Sequence, residues 1–170
     1  DDIRQLDKDG KIKSQIYDVP LYNQGNYKLC WAFCWVMIEE TGKEIKKTQA
    51  EAEARAIEVA KEKNGDNWND GAFSNHLSVS ISCADDLYLE MMNGKPLIAY
   101  YYNGLNHDNP NVNAHEIVVT GVVMAPGHET LVMSNNPWGE KNIQSYSEFS
   151  EIPGDTSTPR MKWTMTYTPF

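Results

Sequence analysis

The sequence predicts an α+β domain, on three observations. Helical patterns concentrate before residue 94 and strand patterns after it. No internal repeat or low-complexity tract runs through the chain. The composition, 41% hydrophobic and 23% charged, is that of a folded domain and excludes a disordered or fibrous chain. At 170 residues the chain can bury a core of its own, as one domain or as two lobes around a shared cleft.

Residues 1–29 alternate weakly and contain Pro20 and Gly25, which predicts an extended arm, a short strand near 16–19 and a turn leading to Cys30. Residues 30–40 (CWAFCWVMIEE) are apolar almost all round, the pattern of a helix buried mid-molecule, and Thr41-Gly42 ends it. Thr48 and Glu51 form a capping box that opens an Ala- and Glu-rich amphipathic helix to about Lys63, closed by Asn64-Gly65. Ser82, with Asp85 three residues on, caps a third helix to about Met92, stopped by Asn93-Gly94. Beyond this point residues 96–102 (PLIAYYY), 116–124 (EIVVTGVVM), 130–134 and 162–167 (KWTMTY) read as strands. Residues 125–128 make a hairpin turn, and the Asn-rich stretch 103–113 is a loop just before His115.

Fifteen basic against twenty-four acidic residues give a net charge of −9, which repels nucleic-acid phosphate and anionic lipid. Nucleic-acid binding is therefore not expected. No apolar run approaches the roughly 20 residues that span a bilayer, so no membrane association is expected either. The opening Asp1-Asp2-Ile3-Arg4 lacks the apolar stretch of a signal peptide, and a processed or trimmed terminus is one expectation from it, a cloning boundary the other.

Three cysteines, Cys30, Cys34 and Cys83, cannot all pair within the chain, so at least one thiol is free. The four histidines are scattered and the cysteines show only a C-x-x-x-C spacing, which does not suit a structural zinc site; no metal is expected. Cys30 is the first residue of its helix, where unpaired backbone N–H groups and the helix dipole favour a thiolate. A cysteine in a core helix is more commonly inert packing. Cys34, one turn further along, reads as such packing, with a bond to Cys83 as the lesser alternative.

A thiolate nucleophile needs a base, and histidine suits that duty near neutral pH. His115 precedes the β-rich run 117–123, a rigid mount, whereas His76, His107 and His128 fall in loops or turns. An amide to orient the imidazole is offered by Asn135-Asn136 ahead of Pro137-Trp138-Gly139; the same segment also reads as a simple turn.

These residues carry a resemblance. The segment from Gln24 through Cys30-Trp31-Ala32-Phe33 resembles the papain-family signature, in which Gln stands six positions before a Cys-Trp-Ala-Phe nucleophile segment. His115 with Gly121 resembles the family's His-containing strand, and Asn136-Pro137-Trp138-Gly139 its Asn-x-Trp-Gly segment, all in the family's order. The short chain and the Asn-Pro-Trp version are similar to the compact bacterial, staphopain-like members.

The resemblance implies a two-lobed fold: a helical lobe over about 20–93 around the nucleophile helix, and an antiparallel half-barrel over about 94–170 with the N-terminal arm. It implies Cys30 as nucleophile, His115 as general base and acid, Asn136 orienting the imidazole, and Gln24 with the Cys30 backbone N–H as the oxyanion hole. Cys30 and His115 would then face each other as a thiolate–imidazolium pair. Trp138 would shield the Asn136–His115 bond from water. Asn69-Asp70-Gly71 resembles the loop whose glycine backbone pairs with an extended substrate, which makes Gly71 a substrate-binding residue. Two departures stand beside the histidine: Ala114 where the family has aspartate, and Glu116 where a small apolar residue is usual. Either would shift substrate choice or the His115 pKa, and Ala114 and Trp138 count among the residues facing substrate. His115 follows Cys30 by 85 residues, against roughly 130 or more in long members, so several substrate-lining loops must be short.

The implied activity is hydrolysis of peptide bonds in a protein or peptide substrate through an acyl-enzyme, with no cofactor beyond a reduced Cys30. An acyl transferase or deamidase using the same triad is the alternative; a non-catalytic binding module fits the intact set poorly. The family is usually made with an inhibitory propeptide, so a propeptide or proteinaceous inhibitor is an expected partner. Together with the Asp1 start, this implies a mature, secreted bacterial form.

Overall fold

The computed structural model describes residues 10–69, 77–103, 114–155 and 159–168. Eight strands form one sheet: β1 (Lys13–Ile16), β2 (Leu77–Val79), β3 (Leu97–Tyr102), β4 (Ala114–Met124), β5 (Leu131–Asn136), β6 (Glu140–Ser145), β7 (Glu151–Ile152) and β8 (Met161–Thr168). Among the described residues four α-helices accompany it: α1 (Cys30–Glu39), α2 (Gln49–Asn64), α3 (Ala84–Met91) and α4 (Tyr146–Phe149). The sheet runs β2-β8-β3-β4-β5-β6, with β1 added to β4 and β7 to β8, and its pairings are antiparallel. The α+β class predicted from the sequence is the class observed.

Strand β4 is the spine. It pairs with β3 over Ala114–Val119 and with β1 over Gly121–Met124, while β5 takes its other edge. Its near-continuous apolar sequence follows from cover on both faces. On one face Ile98, Val118 and Tyr167 join the buried residues of α1 and α2; on the other Leu97, Ala99, Tyr101, Ile117 and Val119 join Leu87 and Met91 of α3 and Phe149 of α4. Successive residues of β3 and β4 thus alternate between two cores, as the two-residue period of a strand requires. Helix α3 therefore lies on the opposite side of the sheet from α1 and α2, and the helices of 20–93 do not form one layer. The Tyr17 hydroxyl donates to the Met91 carbonyl and ties the arm to that side.

Helix α1 is buried along most of its length, from Trp31 to Ile38, as its apolar sequence demands. Its N-cap, Leu29, supplies no side-chain hydrogen bond to the first turn. Helix α2 has the predicted box: Glu51 N donates to Thr48 Oγ1 (3.2 Å) and Thr48 N to Glu51 Oε1 (3.0 Å). Ala52, Ala56, Val59 and Ala60 line its buried face at the spacing of an amphipathic helix.

Several expectations need correction. Strand β1 covers 13–16 instead of 16–19 because its partner is the 121–124 end of β4. A Cβ on Gly121 would lie 3.1 Å from both Ile16 Cγ1 and Met133 Sδ, so the glycine lets β1 approach. Helix α3 is capped at Cys83 rather than Ser82; Asp86, not Asp85, reaches back, its Oδ2 accepting the Ser82 N–H at 2.9 Å. Strands β2, β6 and β7 and helix α4 were not anticipated. All three cysteines are free: Cys34 is buried and Cys83 exposed, which excludes a bond between them.

Candidate active site

Two adjacent asparagines end β5, and the strand's alternation sends them to different tasks. Asn135 Nδ2 donates to the carbonyls of Val19 (3.1 Å) and Pro20 (3.0 Å), pinning the arm that leads to Cys30. Asn136 Oδ1 lies 2.8 Å from His115 Nε2 and also accepts the Trp138 N–H at 3.0 Å, which fixes the amide's orientation. Because Oδ1 only accepts, Nε2 must carry the proton, and Nδ1 is left as the basic nitrogen of the neutral imidazole. The sequence left Asn135 and Asn136 open on residues alone; the geometry selects Asn136.

The turn after β5 completes the cover. The Trp138 ring stacks on His115 with centroids 4.0 Å apart and planes 16° from parallel. His115 is 3% exposed while Trp138 is 42% exposed, so the indole is the lid over the imidazole, with its outer face in solvent. Gly139, at φ 100°, closes this turn; a Cβ there would meet Asn23 Nδ2 at 2.7 Å. The turn is thereby held against the segment carrying Gln24, whose N–H donates to the Pro137 carbonyl at 2.7 Å. Gln24 Nε2 gives one hydrogen to the Tyr27 carbonyl (2.8 Å) and has a second to offer.

Cys30 is half-buried at the first position of α1. The backbone N–H groups of Glu116, Trp31 and Cys30 itself favour a charge on its sulfur, and the next turn of the helix is fixed by Cys34 Sγ donating to the Glu116 carbonyl at 3.5 Å. The nucleophile candidate is therefore set against the residue that follows His115. Gln24, Cys30, His115, Asn136 and Trp138, scattered over more than a hundred residues of sequence, belong to one neighbourhood. Ala114 begins β4 opposite Tyr102. Gly71, like His76 and His107, lies outside the described residues.

The electrostatics correct one expectation. Burial, and then the Glu116 carboxylate, push the Cys30 thiol up to about 12 despite the helix N-terminus. Burial also lowers His115 to about 4, with the Asn136 bond working the other way. Both shifts oppose a net charge at the site, so the pair holds one proton between these limits. That proton can move within the pair without changing its charge. The N–H groups around the sulfur and the Asn136 carbonyl work against these shifts without cancelling them, so the resting pair is a neutral thiol and a neutral imidazole. Glu116 itself is 2% exposed, and burial raises its carboxyl to about 8. Sequence noted Glu116 as a departure but not its place beside Cys30; the available signal was an acidic residue in a strand that is otherwise mostly apolar.

Among the described residues no group of three or more His, Cys, Asp or Glu side chains is placed to hold a metal ion, and no helix is long and apolar enough to cross a membrane. The chain matches no family model and no curated protein sequence.

Proposed function

We propose that this chain is a papain-like cysteine endopeptidase, in which the α1 end of the helical side and the β4–β5 end of the sheet form the two walls of the substrate site. The observation that carries this reading is the His115 Nε2–Asn136 Oδ1 bond of 2.8 Å beneath Trp138, with Cys30 against the backbone of the next residue on the same strand. A buried imidazole held by an amide, with its other nitrogen free, is what a thiol nucleophile requires.

The reaction follows from these groups. Cys30 Sγ attacks the peptide carbonyl carbon as its proton passes to His115 Nδ1, giving a tetrahedral oxyanion. The second hydrogen of Gln24 Nε2 and the Cys30 N–H stabilise that oxygen. Collapse breaks the C–N bond, and His115 returns the proton to the leaving amine. Water, deprotonated by His115, then attacks the thioester and releases the acid and the Cys30 thiol. The same acyl-enzyme serves an amine acceptor or a glutamine side chain, so transferase and deamidase chemistry are alternative outcomes of the test. The resemblance and the acidic, cysteine-poor chain support a secreted bacterial enzyme that is released from a propeptide and open to proteinaceous inhibitors.

Incubation with an unfolded protein, read by product mass, tests this reading. Two fragments whose summed mass exceeds the parent by one water support the endopeptidase. A one-dalton gain without cleavage, or a new adduct, would replace it. Gln24→Ala should lose roughly 3 kcal/mol of transition-state stabilisation, about a hundredfold in kcat; a folded variant turning over at the parent rate would remove Gln24 from the oxyanion hole.

A further inference from the structure

The segment 19–25, which carries Gln24, is held from both sides. On the sheet side, Asn135 of β5 is 2% exposed and donates to the carbonyls of Val19 and Pro20, while the Pro137 carbonyl takes the Gln24 N–H. On the helical side, Gln49, the first residue of α2, makes both of the backbone bonds that a neighbouring strand would make to Asn23. The Asn23 N–H donates to Gln49 Oε1 at 2.9 Å, and Gln49 Nε2 donates to the Asn23 carbonyl at 2.8 Å. Asn23 Oδ1 in turn accepts the Gly25 N–H at 2.8 Å, which fixes the chain on the other side of Gln24. The Gln24 side chain is held less firmly. Its Nε2 is tied to the Tyr27 carbonyl, but its Oε1 is buried with no hydrogen-bond partner among the described residues. An amide oxygen that receives no donor does not steer its group, so the aim of the remaining Nε2 hydrogen depends on where the backbone lies.

We propose that Gln49 and Asn135 are positioning residues that act through Gln24, clamping its segment between α2 and β5 so that the remaining Nε2 hydrogen meets the oxyanion. The inference rests on the proposed function and deepens it. Both side chains make their bonds to backbone, one from each wall of the site. An oxyanion donor works only at hydrogen-bond distance from the developing charge, and a displacement of about 1 Å can cost up to roughly a hundredfold in rate. Removing one clamp leaves the other in place, so each truncation should cost part of what loss of Gln24 costs. Substrate binding should be spared, because the oxygen becomes an anion only after attack.

The test compares the parent, Gln49→Ala and Asn135→Ala, each substitution also being placed on a Gln24→Ala background. The substrate is a synthetic peptide spanning a bond that the parent cleaves in an unfolded protein, and Cys30 alkylation by iodoacetamide is followed alongside by intact mass. Each single variant should lose about tenfold in kcat with KM kept within about twofold. Alkylation should proceed at the parent rate, since displacement of iodide by the sulfur forms no oxyanion. On the Gln24→Ala background either substitution should cost less than about twofold more, because the residue through which it acts is gone. A full tenfold loss on that background, single variants at the parent kcat, or alkylation that falls in step with kcat would overturn this inference and leave the proposed function standing. Should Asn135→Ala not fold, Gln49→Ala decides by the same criteria, since Gln49 is exposed and its truncation opens no cavity in the core. A parent chain that cleaves nothing would overturn the inference and the proposed function together.

Discussion

His115→Ala should reduce peptide cleavage by about ten-thousandfold or more, because residues that act as a unit in catalysis fail as a unit. Its Nδ1 is the basic nitrogen left once Asn136 has taken Nε2. No described residue can substitute: His128 is exposed in the turn between β4 and β5, and the Glu116 carboxyl, buried behind Cys30, is protonated at neutral pH. The variant should also alkylate more slowly at Cys30, since the thiol proton has lost its acceptor. Retention of activity within tenfold of the parent, in a variant with an unchanged thermal transition, would contradict the assignment.

The second large effect is on stability. Glu116 has a folded-state value of about 8 against 4.5 for an ordinary glutamate. Between those values the folded chain keeps a proton that the unfolded chain has lost, so stability falls as pH rises from about 4.5 through 8. The loss amounts to a few kcal/mol, at 1.36 kcal/mol per pH unit of displacement. His115 acts on the acid side: lowered to about 4 from 6.5, it stays neutral in the folded chain where the unfolded chain binds a proton. Stability therefore also falls as pH drops from 6.5 through 4. Glu116→Gln should abolish the alkaline decline and leave the acid one. In calorimetric scans above pH 8 the variant should melt higher by roughly 10 °C, at 2–4 °C per kcal/mol for a chain of this size. Parallel melting curves for the two proteins would contradict the burial argument.

What the sequence disclosed follows the strength of each local signal. Helix α2 was legible because a Thr48–Glu51 box and an Asn64-Gly65 stop bracket a long amphipathic run, and α1 because ten nearly unbroken apolar residues leave few alternatives. Strand β6 (EKNIQS) was not legible: its one apolar residue, Ile143, is 65% exposed, and pairing with β5 makes the strand. The α4 box, Ser145 with Glu148, was in plain view but opens only four residues, too few for periodicity to register. At the site, chemistry-bearing side chains announced themselves through order and spacing, while their electrostatics did not. The helix N-terminus pulls the Cys30 thiol down, and that much can be read from position. The opposing burial and the Glu116 charge arise from β4 packing on α1, a long-range contact that the sequence does not display.

The most direct measurement treats the folded protein and Cys30→Ala in parallel with a thiol-directed epoxysuccinyl inhibitor, reading adducts by intact mass and cleavage of an unfolded protein substrate. One adduct per chain at Cys30, with both labelling and cleavage lost in Cys30→Ala, is the predicted result. Cleavage that survives in Cys30→Ala, or a parent chain that never labels at Cys30, would contradict the claim that this residue is the nucleophile.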